Sequence, residues 1–425
     1  MLQSDAQLAT AKKLCQEGNH RNALPILEAM HKSAEMNAPS FFVGSLLLTC
    51  YQKLSMWDSA LSLGEELCSL CDCWQSIKLS YAWVIYFHAF KNRYEQSIEE
   101  AIRKIDTIEE LLAKDTQKLP LILAIFNLVS KNNQMSSELG IQLLEKLDFQ
   151  ALKTYVPSKS SGSSFAEQYA SLYSKALFSG DKFSKCVAFC RCALDETVCL
   201  TEDNRIWMLR RLALSHYRLG DAEQAFTILQ QVILLKPEWY ILFELAQVCD
   251  TLQKASEALQ FAARAATANG ELEMKIHLWH FLYKLLLKAK RFPEAVNCLS
   301  LVASIRVNKA WKLDSALISE IALYNLKPED LPEPILLFKQ LKPLFQDFSA
   351  DPSSTAAGVI TRLLPHGKAG FIKSGENSYY FRTSDLCFPA AQIVSGIKVL
   401  FCLQKSFDPK KQTESKIAVN IRLVN

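Results

Sequence analysis

The strongest constraint on this chain is a small residue that recurs through its first three quarters. Ala23, Ala60 and Ser97 stand 37 residues apart, and Cys186, Ala225, Ala258 and Ala295 follow one another at spacings of 39, 33 and 37. Each lies just after a polar turn and opens a run of helical apolar periodicity, as in Asn19-His20-Arg21-Asn22-Ala23-Leu24 and Asp221-Ala222-Glu223-Gln224-Ala225-Phe226. One helical hairpin cannot bury its own apolar stripe, so units of this length must stack. Only a small side chain fits where two helices cross closely. Residues 5–325 therefore read as an all-α solenoid. The segment Pro157-Ser158-Lys159-Ser160-Ser161-Gly162-Ser163-Ser164 reads as a flexible loop, 157–164, between two helical arrays, 1–156 and 165–325. Residues 326–356, with Pro328, Pro332, Pro334, Pro343 and Pro352, read as a connector with one short helix over 333–345.

The repeat resembles the tetratricopeptide repeat (TPR). Its pattern is met well by 206–237, with Leu209, Leu212, Gly220, Ala225, Leu229 and Pro237, and by the unit from 276, with Trp279, Leu282, Phe292, Ala295 and Leu299. The resemblance implies a concave surface that takes a protein partner, whose identity the residues do not specify.

Composition adds bounds. No stretch of 18 or more residues lacks charged or polar breaks, so no transmembrane helix is expected. The start, Met1-Leu2-Gln3-Ser4-Asp5, has no basic and then apolar leader. A cytoplasmic protein without a membrane partner is the expectation. The 13 cysteines then read as reduced, mostly buried thiols rather than a disulfide framework.

No catalytic constellation stands out. Cys68-Ser69-Leu70-Cys71-Asp72-Cys73 and Cys186-Val187-Ala188-Phe189-Cys190-Arg191-Cys192 invite a zinc reading. Both lie inside helix patterns, where paired ligands on turns are not available, so thiols are the expected reading. His277 and His280 flank Trp279 without a His-Glu-x-x-His pattern, and Gly367-Lys368 lacks the rest of a P-loop. Trp57, Tyr81, Trp83, Tyr86 and Trp279 fit either a peptide groove or repeat core, and periodicity favours core. No enzyme activity, cofactor or metal is expected.

The tail differs in kind. Short strands are predicted over 357–363, 370–374, 378–382, 397–404 and 416–423, separated by Pro, Gly and polar turns. That is the size and pattern of an OB barrel over 357–425. Residues 356–425 hold ten Lys/Arg against four acids, a surplus of six, while the rest of the chain has 38 basic and 40 acidic residues. The positive charge is concentrated where the strands are, as in a polyanion-binding module.

This module resembles the cold-shock domain. Gly358-Val359-Ile360 matches its opening, Lys368-Ala369-Gly370-Phe371-Ile372 its first nucleic-acid motif, and Tyr379-Tyr380-Phe381-Arg382-Thr383-Ser384 its second. Gly396-Ile397-Lys398-Val399-Leu400-Phe401 and Ala418-Val419-Asn420-Ile421 match the closing strands. Family aromatics are replaced by Arg362 or Leu363, by Ala369 and by Thr383, and the motif histidine by Arg382. The resemblance implies a surface for RNA or single-stranded DNA, carried here by Arg362, Lys368, Phe371, Lys373, Tyr380 and Arg382. Alternation places Ala369 with Phe371 on one face, and Tyr380 with Arg382 on another strand's same face. The expected function is a non-catalytic adaptor, with nucleic acid on the barrel and protein on the repeats. The alternative is a protein scaffold whose barrel has lost nucleic-acid binding. The pairing of degenerate repeats with such a barrel, together with Tyr81-Ala82-Trp83-Val84-Ile85-Tyr86, also resembles accessory components of bacterial antiphage systems.

Overall fold

A computed structural model describes residues 2–33, 38–70, 73–91, 96–113, 118–132, 134–154, 163–195, 200–349, 355–365, 367–386, 388–389, 392–393, 396–408 and 413–424. Most of the Ser-rich segment 157–164 lies outside them. Two compact units form, one within Met1–Lys182, the other from Phe183–Asp195 and Leu200–Asn425.

The first unit is helical: α1 (Leu2–Gln16), α2 (His20–Ser33), α3 (Ala38–Lys53), α4 (Trp57–Ser69), α5 (Gln75–Tyr86), α6 (Ile98–Leu111), α7 (Leu119–Lys131), α8 (Ser137–Glu145), α9 (Phe149–Thr154) and α10 (Phe165–Ser179). A π-helical turn, Phe87–Lys91, extends α5. The second unit begins with α11 (Phe183–Leu194), α12 (Glu202–Arg218), α13 (Ala222–Leu235), α14 (Trp239–Thr251), α15 (Ala255–Thr267), α16 (Ile276–Lys288), α17 (Phe292–Asn308), α18 (Ser315–Leu323) and α19 (Pro334–Ser349). In each unit consecutive helices stack as TPR-like hairpins, and in the second a small all-β barrel follows them. No helix among the described residues is long and apolar enough to cross a membrane.

The hairpin turns explain the sequence period. Gly18, Ser55, Asp181, Gly220, Gln253 and Lys290 all have left-handed backbone, with φ from 56° to 89°. The residue after each donates its N–H back across the turn, as in Asn19 to Leu14 (2.8 Å), Met56 to Tyr51 (2.9 Å) and Arg291 to Leu286 (2.9 Å). This closure satisfies carbonyls that the helix end leaves open. Five residues beyond each turn come Ala23, Ala60, Cys186, Ala225, Ala258 and Ala295, and every one is fully buried. The small residue therefore falls on the second helix of each hairpin at a fixed distance from the turn. Ser97 departs from this. It is the N-cap of α6, its side chain accepting from the Glu100 N–H at 3.1 Å, and the buried small residue is Ala101. A serine before a Glu-rich first turn serves capping better than a crossing.

Helix α19 is longer than the short helix expected over 333–345. It sinks Leu337, Leu341 and Phe345 into the core of the second array. Phe338 and Phe345 lie 5.6 Å and 6.0 Å from the Trp279 ring of α16. Trp279 is thus core, as its periodicity indicates, and so are Tyr81 and Tyr86, while Trp57 and Trp83 stack on Phe87.

Lys275 caps α15 from within the core. It is buried, and its Nζ donates to the carbonyls of Ala266 (3.3 Å) and Ala268. Burial pulls its ammonium down to about 8. The unfolded lysine holds its proton up to about 10.4. Between these values the unfolded chain binds more protons than the folded one, so stability rises with pH across that window. Wild type is expected to gain about 1–3 kcal/mol relative to Lys275→Met between pH 8 and 10, the two carbonyls offsetting part of the burial penalty. Urea unfolding of both proteins across that range checks it.

The barrel has five strands: β1 (Thr355–Leu363), β2 (Ala369–Ser374), β3 (Asn377–Arg382), β4 (Lys398–Asp408) and β5 (Thr413–Leu423). It closes in the order β1-β2-β3-β5-β4, with β4 back against β1. All pairings are antiparallel except β3 with β5. Ile360, Ile372, Phe381, Val399, Phe401, Ala418 and Ile421 fill the interior. An Arg422–Asp347 ion pair ties β5 to α19.

Candidate nucleic-acid interface

Two glycines let the front of the barrel close tightly. A Cβ at Gly358 would lie 2.7 Å from both the Ile372 side chain and the Lys373 carbonyl. One at Gly370 would lie 2.6 Å from the Arg362 carbonyl and 2.7 Å from the Phe381 ring. With inward positions taken by Ile360, Ile372 and Phe381, strand alternation turns Phe371 and Tyr380 outward.

A bulge decides what joins them. Ile360 of β1 pairs with Ile372, but the next pairing is Arg362 with Phe371, so β1 carries an extra residue at Thr361. Such a bulge re-aims the side chains beyond it. Here it replaces Thr361 with Arg362 opposite Phe371, which in turn pairs with Tyr380 of β3. Three strands thus present Arg362, Phe371 and Tyr380 in one row. The guanidinium carbon lies 5.0 Å from the Phe371 ring centre. The Phe371 and Tyr380 rings are 5.8 Å apart at 73°. Both rings are half-buried and Arg362 is exposed.

The other sequence-predicted residues flank this row. Lys373 is two residues from Phe371 on β2, and Arg382 two residues from Tyr380 on β3; both are exposed. Lys368, exposed, precedes β2, and its carbonyl accepts from the Thr383 N–H at 3.0 Å, which brings the ends of both motifs together. Lys398 was not singled out by its motif. It is exposed at the start of β4 beside Val359, whose other neighbour is Lys373. Only strand pairing shows that these two lysines share a flank.

Two of the replaced aromatic positions are not open platforms. Ala369 is buried, opposite Arg382, and Thr383 is half-buried at the start of a short 3-10 turn. Asp385 closes that turn. Burial raises its carboxyl above the usual range, and the Arg382 backbone, the Arg382 charge and Lys342 of α19 pull it back. One acid thus stands at the Arg382 end of the row.

Elsewhere the sequence motifs resolve simply. Cys186 and Cys190 are buried one helical turn apart, with sulfurs at 3.8 Å. Cys68 and Cys73 sulfurs are 3.7 Å apart, and Cys71 lies outside the described residues. His280 pairs with Glu320 at 2.6 Å and stacks on Tyr283.

No protein-family model and no curated protein matches this chain. Among solved structures it is similar to a tetratricopeptide repeat protein from Parabacteroides merdae, at 12% identity and TM-score 0.32, over 68% of this chain and all of that one. It is similar to the TPR2AB domain of yeast Sti1 in its pHSP90 complex, at 13% identity and TM-score 0.30, over 62% of this chain and 90% of that one. It is also similar to the Naa15/Naa10 structure bound to HypK-THB, at 13% identity and TM-score 0.33, over 82% of this chain and 55% of that one.

Proposed function

We propose that the protein is a binding adaptor whose barrel takes single-stranded nucleic acid, RNA or DNA, and whose helical repeats take a protein partner. The observation that carries this reading is the row Arg362–Phe371–Tyr380 on one outer face, flanked by exposed cations. Stacked rings accept any base by its π-face, and a guanidinium plane extends such a platform. Exposed lysines and arginines beside it meet phosphates. The strand order supports an OB barrel of the cold-shock kind, in which the face of strands 2 and 3 and the loop between strands 1 and 2 bind oligonucleotides. That loop carries Lys368.

The test is a titration of the whole protein with labelled short single-stranded RNA, single-stranded DNA and duplex at several salt concentrations. Single strands should bind in preference to duplex. Affinity should fall as salt rises, with a logarithmic slope of about −0.7 per phosphate contacted. Arg362→Ala with Lys373→Ala should flatten that slope by about 1–1.5. No binding of any single strand at low salt would sink this reading. It would leave the barrel as a protein-docking element, which the buried Ala369 and half-buried Thr383 favour.

A further inference from the structure

The first hairpin holds a feature that the adaptor reading does not use. Cys15 sits in the last turn of α1, His20 opens α2, and Cys50 lies in α3. Their ligand atoms all lie within 4.8 Å of one another. The Cys15 and Cys50 sulfurs are 3.5 Å apart, and the Cys50 sulfur is 3.8 Å from His20 Nδ1.

Those separations are informative. Zinc binds thiolate sulfur at about 2.3 Å and imidazole nitrogen at about 2.0–2.1 Å. For a tetrahedral ion the edges between such ligands come to roughly 3.5–3.8 Å. Two edges of the triangle, Cys15–Cys50 and Cys50–His20, therefore already have the spacing of corners around one ion, and the third lies within 4.8 Å. A disulfide instead needs the sulfurs at about 2.05 Å. Two thiolates and an imidazole are also the donor set that selects zinc over magnesium or calcium.

We infer that Cys15, His20 and Cys50 form a zinc site that clamps the α1–α2 hairpin to α3. Binding releases the two thiol protons to solvent as the two sulfur–zinc bonds form, and water takes the fourth position. Cys50 is fully buried, while Cys15 and His20 are half-exposed. Without a cation, burial and the neighbouring Cys15 push the Cys50 thiol up to about 12. A dication reverses that preference, because coordinated thiols are deprotonated.

The experiment uses the full chain, purified reduced and metal-free, and titrated with Co2+. A thiolate-to-cobalt ultraviolet band should grow to saturation at one equivalent and vanish on adding Zn2+. Cys50→Ser and His20→Ala should each weaken Co2+ binding by more than about a hundredfold, a loss beyond that of outer-shell changes. Cys73→Ser and Cys190→Ser should leave the band unchanged. Three results overturn the inference: no thiolate band at excess Co2+ in wild type, a band that survives Cys50→Ser but is lost in Cys73→Ser or Cys190→Ser, or a Cys15–Cys50 disulfide in protein isolated without reductant. The wild-type titration stands even where a variant fails to fold.

Discussion

Phe371→Ala combined with Tyr380→Ala is expected to weaken binding of a short single strand by at least about thirtyfold, because each stacked base contributes roughly 1–3 kcal/mol. The two rings touch at 5.8 Å, so the single variants should not sum to the double. The barrel itself should survive. Its interior is made by Ile372 and Phe381, the sequence neighbours of these residues, which point the other way. Far-ultraviolet circular dichroism and the melting temperature of the double variant should stay near wild type. Fluorescence anisotropy then reads affinity directly. Affinity within threefold of wild type would remove stacking from the mechanism and leave only charge.

The largest effect on stability is expected at Trp279. It is fully buried on α16, and its Nε1 donates to the Leu272 carbonyl at 2.8 Å. Its ring packs on Phe338 and Phe345 of α19. Trp279→Ala should cost about 3–5 kcal/mol from lost packing and the cavity left behind. The orphaned carbonyl adds about 1–3 kcal/mol where water does not replace the donor. Trp279→Phe keeps much of the ring and should lose mainly the hydrogen bond. Urea unfolding separates the two, since a packing role predicts a wide gap between Ala and Phe. Equal losses would mean that the hydrogen bond dominates. Because α19 also pairs through Asp347 with Arg422 of β5, the alanine variant should lower the barrel's protection against proteolysis as well.

Much of the solenoid was legible in the residues. The recurring small side chain marks a place where helices cross, and it lies a fixed five residues past each turn. Glycine shows that turn at 18 and 220, but Ser55, Asp181, Gln253 and Lys290 adopt the same left-handed backbone. Asp181 is of a type that visits this region, but no propensity rule would nominate Ser55, Gln253 or Lys290, which accept a local cost that packing of the hairpin offsets. Ser97 breaks the small-residue pattern for a related reason: a serine serves both as a small residue and as a cap, and only the helix start distinguishes the two. The prolines at 328–343 suggested a connector, whereas α19 starts at Pro334, where proline is tolerated, and its apolar face completes a core made of distant helices.

The sequence by itself determined what is local. Helical period, strand alternation, the concentration of positive charge after residue 356 and the order of the two barrel motifs all follow from neighbours along the chain. Tertiary structure alone decided what depends on register and on meetings between elements. A bulge at Thr361 puts Arg362, and not its neighbour, against Phe371. Strand pairing sets Lys398 near Lys373. Cys15, His20 and Cys50 come from three helices and converge only when the first hairpin packs on the third helix. Cross-strand and interhelical distances are set by close packing of the whole interior, and a linear pattern contains no record of them.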